Sequence, residues 1–347
     1  MIYETTLKKI CRLPKVTEEQ IHALFLKQGN STVQVVPKNI GRPGFEIITS
    51  EGTCFVTERA IDYYNKHWGR VTGLQERMLD LAIPVPLYIG EGTISREISE
   101  INLSKKPKNK SDEWLHNNFT IEVALTYFLR YFSESNSLKD YKTIIFEAIE
   151  AYYMGMDHIA IMSLVPVFEA GLRNIQNSVL GMSTQNVNAQ EFENGLKKLI
   201  LNWGQRRTKE YIWYPGKSYN SAVEIDFLTH ICPQVDVINA FRLFFSHVLY
   251  KNSAQGVTGL NRHIVVHMLK NDFDNPANFS RIFLALTHIT FIESLSNQTV
   301  PFFWPGYNGD DEVKALSIYI REMSQNFGEL RIDLLNRAGI SNYDYSI

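Results

Sequence analysis

The sequence predicts a mainly α-helical fold preceded by a small α+β region, and three observations carry that prediction. Beyond residue 111 apolar residues recur at intervals of three and four almost without interruption. Before it, short alternating stretches are separated by turn residues. The 347 residues, 44% apolar and 21% charged, have the size and composition of two domains that can each bury a core.

The elements follow in order. Thr17-Glu18-Glu19-Gln20 is a capping-box opening for a helix reaching Leu26. Val33 to Val36 and Phe45 to Ile48 alternate like strands, and Glu51-Gly52 turns the second into a third over Thr53 to Val56. Helices are predicted near 58–68 and 74–81, and the Pro84/Pro86 pair ends that pattern. Lys105-Lys106-Pro107-Lys108-Asn109-Lys110 is polar, positive and without apolar periodicity, and Ser111-Asp112-Glu113 follows it as a helix start. This run reads as a solvated linker rather than a phosphate-binding strip. It sets the expected boundary between an α+β domain over 1–110, with a sensing or regulatory role, and an all-α domain over 111–347. Helices are predicted near 112–134, 138–154, 156–180, 189–210, 221–231, 233–251, 261–270, 276–297 and 310–338, with spacings such as Ile121, Leu125, Phe128 and Phe132. Pro166 is expected to kink or restart its helix, because it lacks an N–H and clashes with the preceding turn.

Composition narrows the possible functions. Disordered, collagen-like and long coiled-coil chains are excluded. No apolar run approaches the ~18 residues needed to cross a bilayer. Met1 to Lys15 has no hydrophobic region of the signal-peptide kind. Cys11, Cys54 and Cys232 are far apart and in no metal-ligand spacing, so a reduced, cytoplasmic protein is expected. Residues 1–110 carry 16 basic and 12 acidic side chains, and the remainder carries 19 and 25. A net-acidic helical half is a poor general binder of polyanions, so any RNA contact must use a local cluster such as Lys197, Lys198, Arg206, Arg207 and Lys209. On a helix those residues read equally as a solvated face. Tyr211, Trp213 and Tyr214 can stack on single-stranded RNA, but they read first as packing.

Phosphate-loop, dinucleotide-binding, zinc-protease, nucleophile-elbow and paired-cysteine motifs are all absent from the sequence. What remains is Asn261-Arg262-His263-Ile264-Val265-Val266-His267, lying after a loop that contains Gly256 and Gly259. An arginine supplies a fixed cation, and a histidine five positions on supplies a base that is largely neutral at cell pH. Together they suit RNA cleavage without metal or cofactor: histidine removes the 2′-hydroxyl proton and arginine neutralises charge on the phosphorus oxygens. With Asn261 as a helix cap, Arg262 falls in the first turn, where exposed N–H groups also favour phosphate. Five helical residues turn through about 500°, so Arg262 and His267 converge only if Arg262 stands at the helix start or a second subunit completes the site. Arg242 to His247 repeats the spacing and Arg281 to His288 nearly does, but both arginines lie inside apolar helices. His263 and His267 share a helix face at metal-ligand spacing, but no third ligand with defined spacing is visible, Asp272 and Asp274 being merely nearby.

Asn261-Arg262-His263-x3-His267 resembles the signature of the HEPN (higher eukaryote and prokaryote nucleotide-binding) superfamily as found in abortive-infection and toxin proteins. Ser163-Leu164-Val165-Pro166-Val167-Phe168-Glu169-Ala170-Gly171-Leu172-Arg173 is similar to the helix that precedes it in abortive-infection members. The resemblance spans roughly residues 115–300, and Met268 stands where those relatives usually have glycine. It implies an antiparallel helical bundle, here with an extra C-terminal helix, that dimerises and brings two Arg–His pairs into one cleft. It also implies an endoribonuclease leaving a 2′,3′-cyclic phosphate. Arg262 would hold the scissile phosphate and His267 would be the acid/base, supported by Asn261, His263, Glu169 and Arg173. Such an effector would act in bacterial antiphage defence or a toxin–antitoxin system, with an antitoxin or phage-derived trigger as partner. Glu169 and Arg173 also stand at i,i+4, which by itself accounts for them as a helix salt bridge. The alternative is a non-catalytic module that dimerises or binds a nucleotide and acts through partner proteins.

Overall fold

The structure, a computed structural model, describes residues 3–29, 32–181, 188–251, 259–270 and 272–340. Helix α1 (Glu4–Ile10) and helix α2 (Glu18–Leu26) come first. Thr17 builds the expected capping box: its hydroxyl accepts from the Gln20 amide, and the Gln20 side chain accepts from the Thr17 amide. That satisfies two N–H groups the helix cannot. Strands β1 (Gln34–Asn39), β2 (Pro43–Thr49) and β3 (Gly52–Thr57) form an antiparallel sheet in the order β1-β2-β3, and Thr49 pairs with Gly52 across the predicted turn. Helices α3 (Ile61–His67), α4 (Val71–Met78) and α5 (Glu91–Asn102) follow. Then come α6 (Pro107–Asn118), α7 (Ile121–Tyr127), α8 (Lys142–Tyr153) and α9 (Asp157–Leu180). Helices α10 (Ala189–Arg207), α11 (Ser221–Ile231), α12 (Pro233–Phe244), α13 (Arg262–His267), α14 (Ala277–Ser294), α15 (Asp311–Met323) and α16 (Glu329–Arg337) complete the order. The protein is mainly helical, with one small sheet near its N-terminus. Among the described residues no helix is long and apolar enough to cross a membrane.

The expected boundary at residue 110 is corrected. Pro107 occupies the first turn of α6, where its missing N–H costs nothing, so the second half of the basic run is helix rather than linker. The chain instead divides into two compact units, Met1–Glu76 with Glu193–Arg242, and Arg77–Phe192 with Leu243–Ile347. Residues after α10 belong with the sheet because they extend it. The Ile212 amide donates to the Thr53 carbonyl at 2.8 Å, and the Phe55 amide donates to the Trp213 carbonyl at 2.9 Å. Trp213 then joins Leu7, Ile10, Phe25, Ile47 and Val56 in one apolar cluster. Buried Asp236 caps α4 by accepting from the Val71 and Thr72 amides at 2.7 and 3.1 Å.

In the second unit α14 is the central helix, apolar nearly all round and buried from Ala277 through Thr290. Helix α9 packs against α8, α13 and α14. It runs through Pro166 without restarting, contrary to one of the two expected outcomes. Pro166 and Met162 lie on the exposed side, where the Met162 carbonyl left without its helical donor faces water. Buried Arg281 on α14 donates to Asp112 at 2.6 Å and to the Leu81 carbonyl at 3.1 Å.

Candidate active site

The site grows from a buried asparagine. Asn261 has extended backbone angles and caps α13, its side-chain oxygen accepting from the His263 amide at 3.0 Å. Its side-chain nitrogen donates to the Val248 and Lys251 carbonyls at 3.3 and 3.0 Å, which pins the start of α13 to the end of the preceding helical segment. Ile264 and Val265 turn inward and are buried, so His263 and His267 are left facing solvent. Their rings meet edge to face, 4.6 Å between centroids.

Because α13 has only six residues, Arg262 is its first and His267 its last. The angular separation expected along a longer helix is overcome there: the Arg262 side chain reaches along the helix until Nη1 lies 3.5 Å from His267 Nε2. Helix α9 supplies the third member. Arg262 Nε donates to Glu169 Oε1 at 2.6 Å, and Nη2 stands 3.5 Å from Oε2. The bond to Glu169 holds the Arg262 guanidinium above its ordinary pKa, against the opposing effect of burial. The carboxylate takes the Nε side of the guanidinium, leaving Nη1 turned toward His267. That arrangement can bind an anion and move a proton within one small area of surface.

A fourth member had no signal in the sequence. Helix α12 continues into a wide π-type turn over 245–249, closed by the Tyr250 amide donating to the Phe245 carbonyl at 2.9 Å. The turn delivers the Tyr250 hydroxyl to Glu169 Oε1, the same oxygen that Arg262 Nε uses.

Other expected members take different places. Glu169 spends its charge on Arg262 rather than on Arg173, whose Nε is buried without a partner. The i,i+4 salt bridge is therefore corrected to a cross-helix pair. Lys197, Lys198, Arg206 and Arg207 all lie on α10, in the unit that does not contain Arg262. Lys197 pairs with Glu193 at 3.0 Å and Arg206 covers the Trp203 ring at 3.9 Å, while Lys198 and Arg207 are exposed. Tyr211, Trp213 and Tyr214 are buried, so they are packing residues. Helix α13 has only six residues, so it adds little dipole behind the expected anion-binding helix start. Asp274 lies 4.0 Å from His158, and among the described residues no group of three or more metal-ligating side chains includes the His263/His267 pair. Gly256 lies outside the described residues; Gly259 has φ +72°. Arg242 is engaged by Asn239 and Glu193, and Arg281 by Asp112, the structural roles their apolar surroundings predict.

No family model, no curated protein and no solved structure matches the chain.

Proposed function

We propose that this protein is a HEPN-type endoribonuclease that needs no metal, acting in the cytoplasm of a bacterium as a defence or toxin effector under an antitoxin or a phage-derived trigger. The observation that carries this reading is the exposed Arg262 Nη1–His267 Nε2 contact at 3.5 Å, braced from behind by Glu169. In the proposed reaction an RNA phosphodiester lies against the Nη1 edge of Arg262. His267 takes the 2′-hydroxyl proton, the 2′ oxygen bonds to phosphorus, and the bond from phosphorus to the 5′ oxygen breaks. Arg262 offsets charge gathering on the non-bridging oxygens. The departing 5′ oxygen receives a proton from the imidazolium of a second His267, leaving a 2′,3′-cyclic phosphate and a 5′-hydroxyl.

A second copy of the chain supplies that acid. Ile159 and Met162 on α9, and Val266, Met268 and Leu269 on and just after α13, are large apolar side chains exposed on the two elements that carry the site. Such a rim supports pairing of two subunits there.

The test is cleavage of RNA by purified protein in EDTA. His267→Ala is the clean variant, because His267 is exposed and its loss leaves no cavity. It is expected to abolish cutting without changing the melting temperature. Arg262→Ala should abolish cutting too but also lower stability, since it strands Glu169 as a buried carboxylate. Arg262→Lys keeps the charge and tests the loss of the guanidinium edge. Cutting that survives in His267→Ala refutes the assignment.

A further inference from the structure

We propose that Tyr250 is a positioning residue of this site, fixing the Glu169 carboxylate so that the Nη1 edge of Arg262 stays beside His267. The inference rests on reading Arg262 and His267 as an RNA-cleaving pair, and it deepens that reading by assigning a residue that neither the motif nor its spacing contains.

Glu169 is only 8% exposed, so a wrongly turned carboxylate there has little water to compensate it. The pairing with Arg262 is lopsided, 2.6 Å at Nε against 3.5 Å at Nη2. Two carboxylate oxygens facing a guanidinium ordinarily settle into two parallel bonds of similar length. The Tyr250 hydroxyl prevents this by donating to Oε1 as well, anchoring that oxygen between two donors. Without the hydroxyl, Oε1 keeps only the Arg262 Nε donor. The carboxylate is then free to rotate into an even fork on Nε and Nη2, and the guanidinium turns with it. Nη1 moves away from His267.

Tyr250 is itself rigidly held. Its ring stacks on Phe245 at 4.3 Å and 25°, and meets Phe192 edge-on at 6.1 Å. The π-type turn sets its backbone, so the hydroxyl has one place to point. Burial, then the hydrogen bond to Glu169 and its charge, raise the Tyr250 phenol above its ordinary pKa.

Tyr250→Phe keeps the ring and its stacking and removes only the oxygen. The direct readout is exchange of the Arg262 Nε proton with water, followed by nitrogen-15 NMR and assigned by its disappearance in Arg262→Lys. Loss of a hydrogen bond to a charged group predicts exchange about tenfold faster in Tyr250→Phe. Glu169→Gln, which removes the charge but not the shape, should accelerate it at least as much, and adding Tyr250→Phe to Glu169→Gln should change nothing more. If RNA is cut, Tyr250→Phe should lower kcat about tenfold with KM within about twofold, because the misplaced contact belongs to the transition state. A merely structural tyrosine would lower the melting temperature while leaving Arg262 exchange alone, and that result overturns the proposal. Absence of cutting by the unmodified protein would instead remove the ribonuclease reading, while Arg262 exchange would still decide the role of Tyr250.

Discussion

Asp157 shows how a single side chain sets a pH dependence. It opens α9, is 2% exposed, and its Oδ1 has no partner. Burial, reinforced by the like charge of Asp274, pushes its carboxyl up to about 6, while His158 and Arg331 pull weakly the other way. The folded state therefore holds this proton more tightly than the unfolded chain does. Stability gained by protonation is present below about pH 4 and is lost as pH rises through 6. Asp157→Asn removes the penalty and is expected to stabilise the protein by about 1–3 kcal/mol at pH 7 and by little at pH 4. Denaturant unfolding at the two pH values checks this, and an equal effect at both contradicts it. Residues of the candidate site were legible to different degrees. Arg262, His267 and their cap Asn261 are announced by local spacing, and Glu169 by the resemblance of its helix. Tyr250 arrives through a π-type turn that no periodicity marks, and it meets Glu169 only through tertiary packing.

At the scale of the element, α13 ends as its sequence position demands but with an unexpected residue. Met268 closes the helix at φ +51°, ψ 37°, in the left-handed region that glycine enters freely and a side chain with Cβ does not. The Met268 amide donates to the Ile264 carbonyl, so the turn is a real helix terminus. A glycine at this position would adopt the turn freely, and methionine keeps the same turn at a cost. Met268 is 58% exposed and contributes little burial. Met268→Gly is accordingly expected to stabilise the second unit by about 1 kcal/mol, or about 2–4 °C in melting temperature. Calorimetry checks it; a loss of stability would mean that Met268 makes contacts outweighing its backbone strain. Long periodic helices such as α9 and α14 were legible nearly to the residue, because each buries a continuous stripe or its whole surface. Helix α1 was not, since seven residues carry too few apolar positions to display a period. Only the first turn of α6 was hidden, by its Lys-rich start, which is solvated but still helical once Trp114 and Leu115 bury the far side of the helix.

For the whole molecule, the feature least visible in the sequence is that residues 193–242 return to the N-terminal sheet. Composition changes near 110 because exposure changes locally, whereas the division between units depends on Ile212 and Trp213 finding the edge of β3, a pairing of distant residues that no local pattern encodes. Each unit also encloses a histidine held neutral. His230 Nε2 in the first unit donates to Asn65 Oδ1 at 2.8 Å, and burial, then the charges of Arg70 and Arg42, lower its pKa to about 3. His288 in the second is fully buried on α14, and burial lowers it to about 4. Unfolded histidine titrates near ~6.5, so the unfolded chain takes up these two protons before the folded one does. Their contribution to stability is complete above pH 6.5 and is lost as pH falls from there toward 4 and 3, at most about 2–3 kcal/mol each by pH 4. Asp157 opposes them over part of that window but is one group against two. Denaturation midpoints should therefore fall steadily between pH 6.5 and 4. His230→Asn and His288→Asn should each flatten that fall, whatever they cost at neutral pH. Because the chain has two units, unfolding must be followed by probes in each rather than fitted as one transition. The first unit contains Trp68, Trp203 and Trp213 and the second Trp114 and Trp304, so fluorescence of tryptophan variants reports them separately. His230→Asn should change the acid response of the first unit's probes and His288→Asn that of the second's. A pH-independent midpoint across this range would mean that the two imidazoles are protonated in the folded chain, against their buried surroundings.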